Sequence, residues 1–395
     1  MHVNGIGSVH SGNFGKRISH DPFILERICN ETSSTGGKVI LHCDETKDEK
    51  LAGLMRAAEE WYANLTVVGD SKDMSAALEK IRDEQEVDQT LMAYIGGDGS
   101  QSLNSTQIVK VWGDNLPLIS LLGGGTMNTG KGNLGIKGKD PLKNLENLCM
   151  GVLSNLKPQT TPLRLLKVKH DNEIKYGCLF GMGLAVSFLE VYYNRACIPK
   201  PNDDARVNDK KSNPIYGAIL VAKCIVSAAL SAVTGGSRGK YAQYLTRTQH
   251  LDIEYNGIKI EDNFGGLLCG TIPDVGFGFN ILPQDLYGTD QFQMLAVTKD
   301  MSKLYYLTNF LRFRSGEPAL QGLSSSSPLL SEQQLNERQF YFDESTDCLK
   351  ITFLQPPMTG QKSQVQLDGE IIPVNGNYVE VTLGPQLEVF TGFNP

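Results

Sequence analysis

The chain has 395 residues, 40% of them hydrophobic and 21% charged, a composition typical of a globular protein with room for two domains. The formal net charge of −7 argues against a general nucleic-acid-binding protein, so we expect no nucleic acid among its partners. The cysteines are scattered without CxxC pairs and the histidines are isolated, so no zinc site is predicted. The N-terminal residues lack the apolar core of a signal peptide, which makes a cytoplasmic location the default expectation.

Residues 1–158 alternate short apolar runs with segments of helical periodicity, the pattern of a parallel α/β sheet. Strands are predicted at 38–43, 65–69, 91–96 and 116–122, with amphipathic helices after the first two. Asp140 and Pro141 form a start signal for another helix over 140–153. We therefore predict an N-terminal Rossmann-like three-layer α/β domain over residues 1–158.

Beyond residue 158 the sequence consists mostly of short alternating runs separated by turn residues. Asn256-Gly257 and Asp368-Gly369 are dipeptides typical of hairpin turns, and both stand between alternating flanks. The pattern predicts a C-terminal antiparallel β-sandwich domain over residues 159–395, with the final strand as a candidate to pack back on the first domain. Inserted helices are expected at 216–234 and 302–314, and a mobile serine-rich loop at 320–334.

The apolar segment 216–234 has two interpretations. Lys223 interrupts it, and it is shorter than the ~20 apolar residues that a bilayer-spanning helix needs. It is either a buried helix or an interfacial helix that docks on a membrane surface. Basic residues that would suit anionic lipid bracket the segment. They are Lys200, Arg206, Lys210, Lys211, Arg238 and Lys240.

Two glycine-rich turns follow neighbouring predicted strands. In GGDGS (residues 96–100), glycines allow a ligand to approach the backbone, and N–H groups at a helix start can bind phosphate oxygens. Asp98 would repel phosphate unless a cation lies between them, which predicts Mg²⁺. The second turn, GGGT (residues 123–126), should lie at the same sheet edge, where the carboxyl ends of parallel strands meet. The two turns together predict a nucleotide site, although either alone is also explained as a tight strand-to-helix connection.

Five motifs, in this order, resemble the diacylglycerol kinase catalytic family, which includes bacterial lipid kinases, sphingosine kinases and ceramide kinases. They are GGDGS (96–100), GGGTMNTGKGNLGI (123–136), LFGMGLAVSFLEVYY (179–193), GTIPDVGFGFNILP (270–283) and VQLDGE (365–370). The resemblance covers most of the chain. It implies an ATP- and Mg²⁺-dependent kinase with the nucleotide in the α/β domain. It also implies that a lipid substrate, taken from a membrane surface, enters between the two domains.

The same resemblance implies roles for individual residues. Asp98 would reach the magnesium ion, Asp368 would be the general base, and Glu370 would be its neighbour. The residues implied in nucleotide binding are Gly96, Gly97, Asp98, Gly99, Ser100, Gly124, Gly125, Thr126 and Asn128. Judged from the residues alone, Asp368 is better explained by the Asp-Gly hairpin turn, and the resemblance reverses that preference towards catalysis.

Departures from the family pattern keep other functions open. Val186 stands where the family has Asp. Glu190, one helical turn further on, could substitute for that acid, but a solvated helix face is the favoured expectation. Asp290 is the only acid in the segment where the family carries a DxG metal site. The alternatives are a kinase of a soluble acceptor such as NAD, and a nucleotide-binding regulator without turnover. A diacylglycerol-like acceptor is the leading expectation, while the nucleoside and the oligomeric state, a homodimer included, stay open.

Overall fold

A computed structural model gives the structure of the protein. It describes residues 1–10, 14, 17–18, 21, 23–44, 48–124, 129–138, 140–199, 219–220, 222–223, 226–227, 239–245, 247–276, 282, 289–298, 341–354 and 363–394. The segments predicted at 302–314 and 320–334, most of 216–234, and the basic residues Lys200 to Lys211 and Arg238 lie outside them. The chain forms two compact units. The first unit is 1–165 with 175–177 and 385–395, and the second is 166–174 with 178–384.

The first unit is built on short strands with helices between them. Its elements are β1 (His2–Ser8), α1 (Phe23–Ser34), β2 (Val39–His42), α2 (Glu49–Trp61), β3 (Leu65–Val68), α3 (Ser71–Glu84), β4 (Thr90–Gly96), α4 (Asp98–Trp112), β5 (Leu118–Gly124), α5 (Thr129–Asn133) and α6 (Pro141–Leu153). The strands are parallel, in the order β5-β4-β1-β2-β3. The predicted strands are therefore confirmed, and Asp140 caps α6 as expected by accepting the N–H of Leu142 at 3.0 Å.

Helices cover both faces of this sheet. Apolar residues of α1, α2 and α6 share one core with alternate residues of the central strands, such as Leu91, Ala93 and Ile95 of β4. Helix α4 packs against β4, β1 and the helix α3. Because β4 is buried along its whole length, its residues are apolar on both faces.

The strand order reverses between β1 and β4. From β1 the chain proceeds outwards through β2 to β3, and then returns to the other side of β1 with β4 and β5. Gly7 pairs with Ile95 in this central ladder, and a Cβ on Gly7 would lie 2.4 Å from the carbonyl oxygen of Ile95. In open α/β sheets, ligands bind at the carboxyl ends of the strands where the order reverses. The first glycine turn lies at this position, directly after β4.

The second unit is dominated by antiparallel strands. The remaining elements of the chain are β6 (Pro158–His170), β7 (Glu173–Gly177), β8 (Leu179–Gly183), α7 (Leu184–Tyr193), α8 (Lys240–Leu245), β9 (Gln249–Tyr255), β10 (Ile258–Gly270), β11 (Phe292–Thr298), β12 (Tyr341–Thr346), β13 (Cys348–Phe353), β14 (Ser363–Leu367), β15 (Glu370–Val374) and β16 (Tyr378–Phe393). Strands of the second unit pair in the order β15-β14-β8-β10-β9-β13-β16. Residues 389–390 of β16, which belong to the first unit, pair in parallel with β5.

Both predicted hairpin turns are confirmed. Asn256 and Gly257 have φ values of 49° and 74° between β9 and β10, and Asp368 and Gly369 have 48° and 83° between β14 and β15. Positive φ at both central residues is the combination that matches the twist of antiparallel strands. Parallel strands with helices, followed by antiparallel strands, confirm the predicted fold class. Within the described part of the chain, each helix is too short or too polar to cross a bilayer.

One carboxylate of the second unit links two turns. Asp171, in the turn between β6 and β7, accepts the backbone N–H groups of Asn375 and Gly376, both at 2.6 Å. Burial works to raise the pKa of Asp171, but these N–H donors outweigh it and hold the pKa below its ordinary value. The bond pair is therefore strongest when the carboxylate is charged.

We predict that Asp171→Ala lowers the free energy of unfolding at pH 7 by about 0.5–1.5 kcal/mol, because two exposed N–H groups exchange a carboxylate for water. A depressed folded-state pKa stabilises the fold above about pH 4, and this stabilisation is lost as pH falls through the folded pKa. Urea unfolding at pH 7 and pH 2.5 should therefore show a smaller wild-type advantage at the lower pH. Asp171→Asn, which keeps one acceptor oxygen, should be intermediate, and equal stabilities at pH 7 would contradict this account.

Candidate functional site

The first glycine turn leaves the start of α4 without a cap. Gly97 is extended, with φ −93° and ψ −176°, and among the described residues no side chain caps this helix end. The first bond of the helix runs from the N–H of Gln101 to the carbonyl of Gly97, at 3.1 Å. The N–H groups of residues 98–100 therefore have no partner within the helix. Such a group of N–H donors, at the positive end of the helix dipole, is suited to binding phosphate.

Space is left open at the same turn. A Cβ on Gly99 would meet no described atom within 4 Å, and the residue is not in the left-handed region of φ. Neither packing nor backbone conformation requires glycine here, although glycine in a helix costs roughly 0.5–1 kcal/mol relative to alanine. The free volume and the uncapped N–H groups thus fit a phosphate group that approaches the backbone.

The second glycine turn begins at the same edge of the sheet as the first. Gly96 pairs with Gly124 at the ends of β4 and β5, after a register shift between Tyr94 and Ile95. Gly130 of α5 lies against the first turn of α4, since a Cβ there would be 2.6 Å from Oε1 of Gln101. Gly124 and Gly130, which flank residues 125–128, therefore both lie next to the first turn. Residues 125–128, with Gly125, Thr126 and Asn128, and the side chain of Asp98 lie outside the described structure, so their roles remain predictions.

A buried lysine holds the second turn in place. Lys131 is only 5% exposed, and its ammonium group donates to the carbonyl oxygens of Leu122, at 3.0 Å, and Gly138, at 2.5 Å. Burial lowers the pKa of this amine. Lys131 thereby closes the segment 122–138, and Asn144 supports it with a bond of 3.2 Å to Leu122. The sequence predicted no role for Lys131, and its single hint was a lysine between two glycines.

In the second unit, the hairpin turn points the Asp368 carboxylate at the backbone. Its Oδ1 accepts the N–H groups of Cys178, at 3.0 Å, and Leu179, at 2.8 Å. Its own N–H donates to the carbonyl of Leu179 at 2.8 Å. Glu370, the first residue of β15, is exposed. The hairpin interpretation and the catalytic interpretation of Asp368 are therefore compatible, because the same turn holds the carboxylate in one orientation.

The structure corrects the expectation for Glu190. Instead of lying on a solvated helix face, its side chain is only 13% exposed and pairs with Arg247 at 2.8 Å. The Tyr244 hydroxyl donates to the same carboxylate oxygen at 2.9 Å, and Arg247 stacks on the Tyr244 ring at 3.9 Å. Burial, and then the negative charge of Glu190, raise the pKa of Tyr244. Within the described residues, the charge of Glu190 is therefore balanced by Arg247.

Comparison with known proteins identifies the fold. No protein-family model and no curated protein sequence matches the chain. Two structures from Bacillus anthracis str. Sterne, described as candidate diacylglycerol kinases, match with TM-scores of 0.52 and 0.51 at 12% and 13% identity. The matches cover 100% and 99% of this chain and 97% of each of those chains. Yeast NADH kinase, solved with NADH, matches at a TM-score of 0.43 and 11% identity over 99% of this chain and 84% of that one, too low to carry an argument.

These matches show a fold shared with the diacylglycerol kinases over the full length of the chain, as the motif resemblance implied. At such low identity the likeness concerns the fold alone. Function must therefore be argued from the two sites described above.

We predict that Lys131→Met loosens the second glycine turn, because the carbonyls of Leu122 and Gly138 lose their main donor. The free energy of unfolding should fall by about 1–3 kcal/mol. Hydrogen exchange measured by mass spectrometry should accelerate in 118–124 and 129–138. Lys137→Met is the matched control, since Lys137 is exposed. If both variants exchange like the wild type, the ammonium group does not hold the turn.

Proposed function

We propose that this protein is an ATP- and Mg²⁺-dependent lipid kinase that transfers the γ-phosphate to a lipid hydroxyl, with a diacylglycerol-like acceptor. The observation that carries the proposal is the start of α4. Among the described residues no side chain caps this helix end, the N–H groups of residues 98–100 have no partner within the helix, and a Cβ on Gly99 would meet no atom within 4 Å. It lies where the strand order of the sheet reverses. The order of the five sequence motifs and the shared fold support the same conclusion.

On this proposal the two glycine turns bind the nucleotide. The N–H groups of residues 98–100 would bind phosphate oxygens, and Gly96 and Gly97 would let the phosphates approach the backbone. Gly124, Gly125, Thr126 and Asn128 would form the second nucleotide loop. Mg²⁺, reached by Asp98, would neutralise charge on the phosphates during transfer. Lys131 would act on the nucleotide only indirectly, by holding the second turn.

Asp368 would accept the proton of the acceptor hydroxyl, with Glu370 as its neighbour. Two backbone N–H groups fix the direction of the Asp368 carboxylate before any acceptor arrives. Orientation in advance is what general-base catalysis requires, and a well-placed carboxylate contributes about 10²–10⁴-fold to the rate.

The decisive experiment incubates the purified chain with Mg²⁺, ATP labelled in the γ-phosphate and a total lipid extract, and identifies by mass spectrometry what gains label. Vesicles that contain diacylglycerol form a second arm, and soluble NAD forms a third. Label in a lipid supports the proposal, whereas label in NAD alone replaces it with a soluble-acceptor kinase. ATP binding in calorimetry without any phosphorylated product would instead identify a regulator without turnover.

We predict that Gly99→Ala weakens ATP binding without lowering the stability of the fold. The new methyl group enters open space, so the melting temperature should stay equal or rise, because alanine favours a helix by up to about 1 kcal/mol over glycine. The same methyl would occupy the space reserved for phosphate. We therefore expect the ATP dissociation constant in calorimetry to rise about tenfold, the equivalent of one net hydrogen bond.

Gly53→Ala is the matched control for this prediction. Gly53 lies in α2, and a Cβ there also meets nothing within 4 Å. This variant should bind ATP like the wild type. Unchanged affinity in Gly99→Ala would show that phosphate does not approach this turn.

We predict that Asp368→Asn retains the fold and loses turnover. The N–H groups of Cys178 and Leu179 both donate to Oδ1, so an amide oxygen can replace that atom. The amide cannot accept a proton, so kcat should fall about 10²–10⁴-fold while the melting temperature is preserved. Asp368→Ala should lose both turnover and stability. Wild-type kcat in Asp368→Asn, on the acceptor that the lipid experiment identifies, would rule out Asp368 as the base.

A further inference from the structure

The turn that carries Asp368 has left-handed backbone conformations at both central residues. Asp368 has a φ of 48°, which is uncommon for a residue other than glycine, and Gly369 follows with 83°. Such conformations persist when the surrounding structure over-determines them, and they are frequent at functional sites. The groups that hold this turn therefore bear on what it does.

A buried glutamine binds the turn through the N–H of Gly369. Oε1 of Gln366 accepts the N–H of Gly369 at 2.9 Å, and Gln366 is only 3% exposed. Gly181 leaves room for this amide, since a Cβ there would lie 3.0 Å from Nε2 of Gln366. The N–H of Gly369 is thus anchored within the sheet of the second unit.

A tyrosine holds the other side of the turn. The hydroxyl of Tyr193 donates to the carbonyl oxygen of Gly369 at 2.5 Å. Tyr193 is the last residue of α7, a helix that packs on β8, β10 and β14. A short bond from a helix packed on three strands fixes the carbonyl group of Gly369 relative to β8. In β8, the N–H of Leu179 donates to the Asp368 carboxylate. The Asp368 backbone therefore lies between Leu179 of β8 and the bound carbonyl of Gly369.

We propose that Tyr193 is a positioning residue: its hydroxyl orients the Asp368–Gly369 turn and thereby directs the Asp368 carboxylate. This inference rests on the proposed function for its consequence in catalysis. Tyr193 touches the turn through the main chain and does not need to contact either substrate. Its removal should therefore affect the chemical step and leave nucleotide binding unchanged.

The first test does not depend on activity. Tyr193→Phe removes one oxygen and retains the ring, so the fold should be preserved. We expect hydrogen exchange, measured residue by residue, to accelerate about tenfold at the amides of Cys178, Leu179 and Gly369, with no change in β1 to β5. Tyr192→Phe is the control, because it removes the hydroxyl of the neighbouring tyrosine, which is 3% exposed. Equal exchange in both variants and the wild type would refute the proposed role.

The second test separates positioning from general stability. With the acceptor identified as above, Tyr193→Phe should lower kcat about tenfold and leave the KM for ATP unchanged. In a protein that already carries Asp368→Asn, the same substitution should have no further effect, because the carboxylate it orients is gone. A tenfold loss that persists in the Asp368→Asn background would overturn the inference.

Gln366→Met provides an independent variant. It should reproduce the faster amide exchange at Gly369, since it removes the acceptor of the Gly369 N–H. If no acceptor is phosphorylated even by the wild type, the proposed function fails, while the exchange measurements still decide whether Tyr193 orients the turn.

Discussion

The structure of the first unit depends on where α4 begins. The strand β4 is buried along its whole length, and Gly97 ends it and starts the helix without a side-chain cap among the described residues. A capping Ser, Thr, Asp or Asn at Gly97 would accept one of the N–H groups that have no partner within the helix, and would stabilise the helix by a few tenths of a kcal/mol relative to glycine. The chain has glycine instead, so the donors stay available to a ligand.

The rest of α4 is held through its sides. Its buried polar residues bond laterally rather than at the helix start. Ser75 of α3 donates to Gln107 at 2.6 Å, the Ser102 hydroxyl donates to the carbonyl of Tyr176 at 3.0 Å, and the Tyr176 N–H donates to Thr106 at 2.9 Å. These bonds position the helix without using its N-terminal N–H groups. The position of α4 and the phosphate binding that we propose are therefore supplied by different parts of the helix.

On the proposed function, Asp368 combines support of the hairpin turn and catalysis in one residue. Its carboxylate stabilises the hairpin by accepting backbone N–H groups, and the same bonds give it a defined direction. A carboxylate held in this way loses little freedom when a substrate arrives, which is the advantage of a site organised in advance. In contrast, the Glu190 carboxylate pairs with the Arg247 guanidinium and accepts the Tyr244 hydroxyl, so these bonds join α7 to residues 244–247. Asp368 and Glu190 are both partly buried, but their partners differ. Asp368 accepts backbone N–H groups, whereas Glu190 pairs with a cation.

The sequence by itself determined most strands of the first unit, the Asp140 cap and both hairpin turns. It also determined that an α/β part precedes an antiparallel part along the chain. These features follow from local periodicity and from the φ preferences of glycine, asparagine and aspartate. It did not identify β1 as clearly, since Gly5 and Gly7 weaken the strand pattern. Gly7 is explained by close packing, because a Cβ there would lie 2.4 Å from the carbonyl oxygen of Ile95. Only the tertiary structure decided the partners of Lys131, Glu190 and Tyr193. Each binds residues that are distant in sequence or on another element, and such pairing depends on how the elements pack, which no short stretch of sequence encodes.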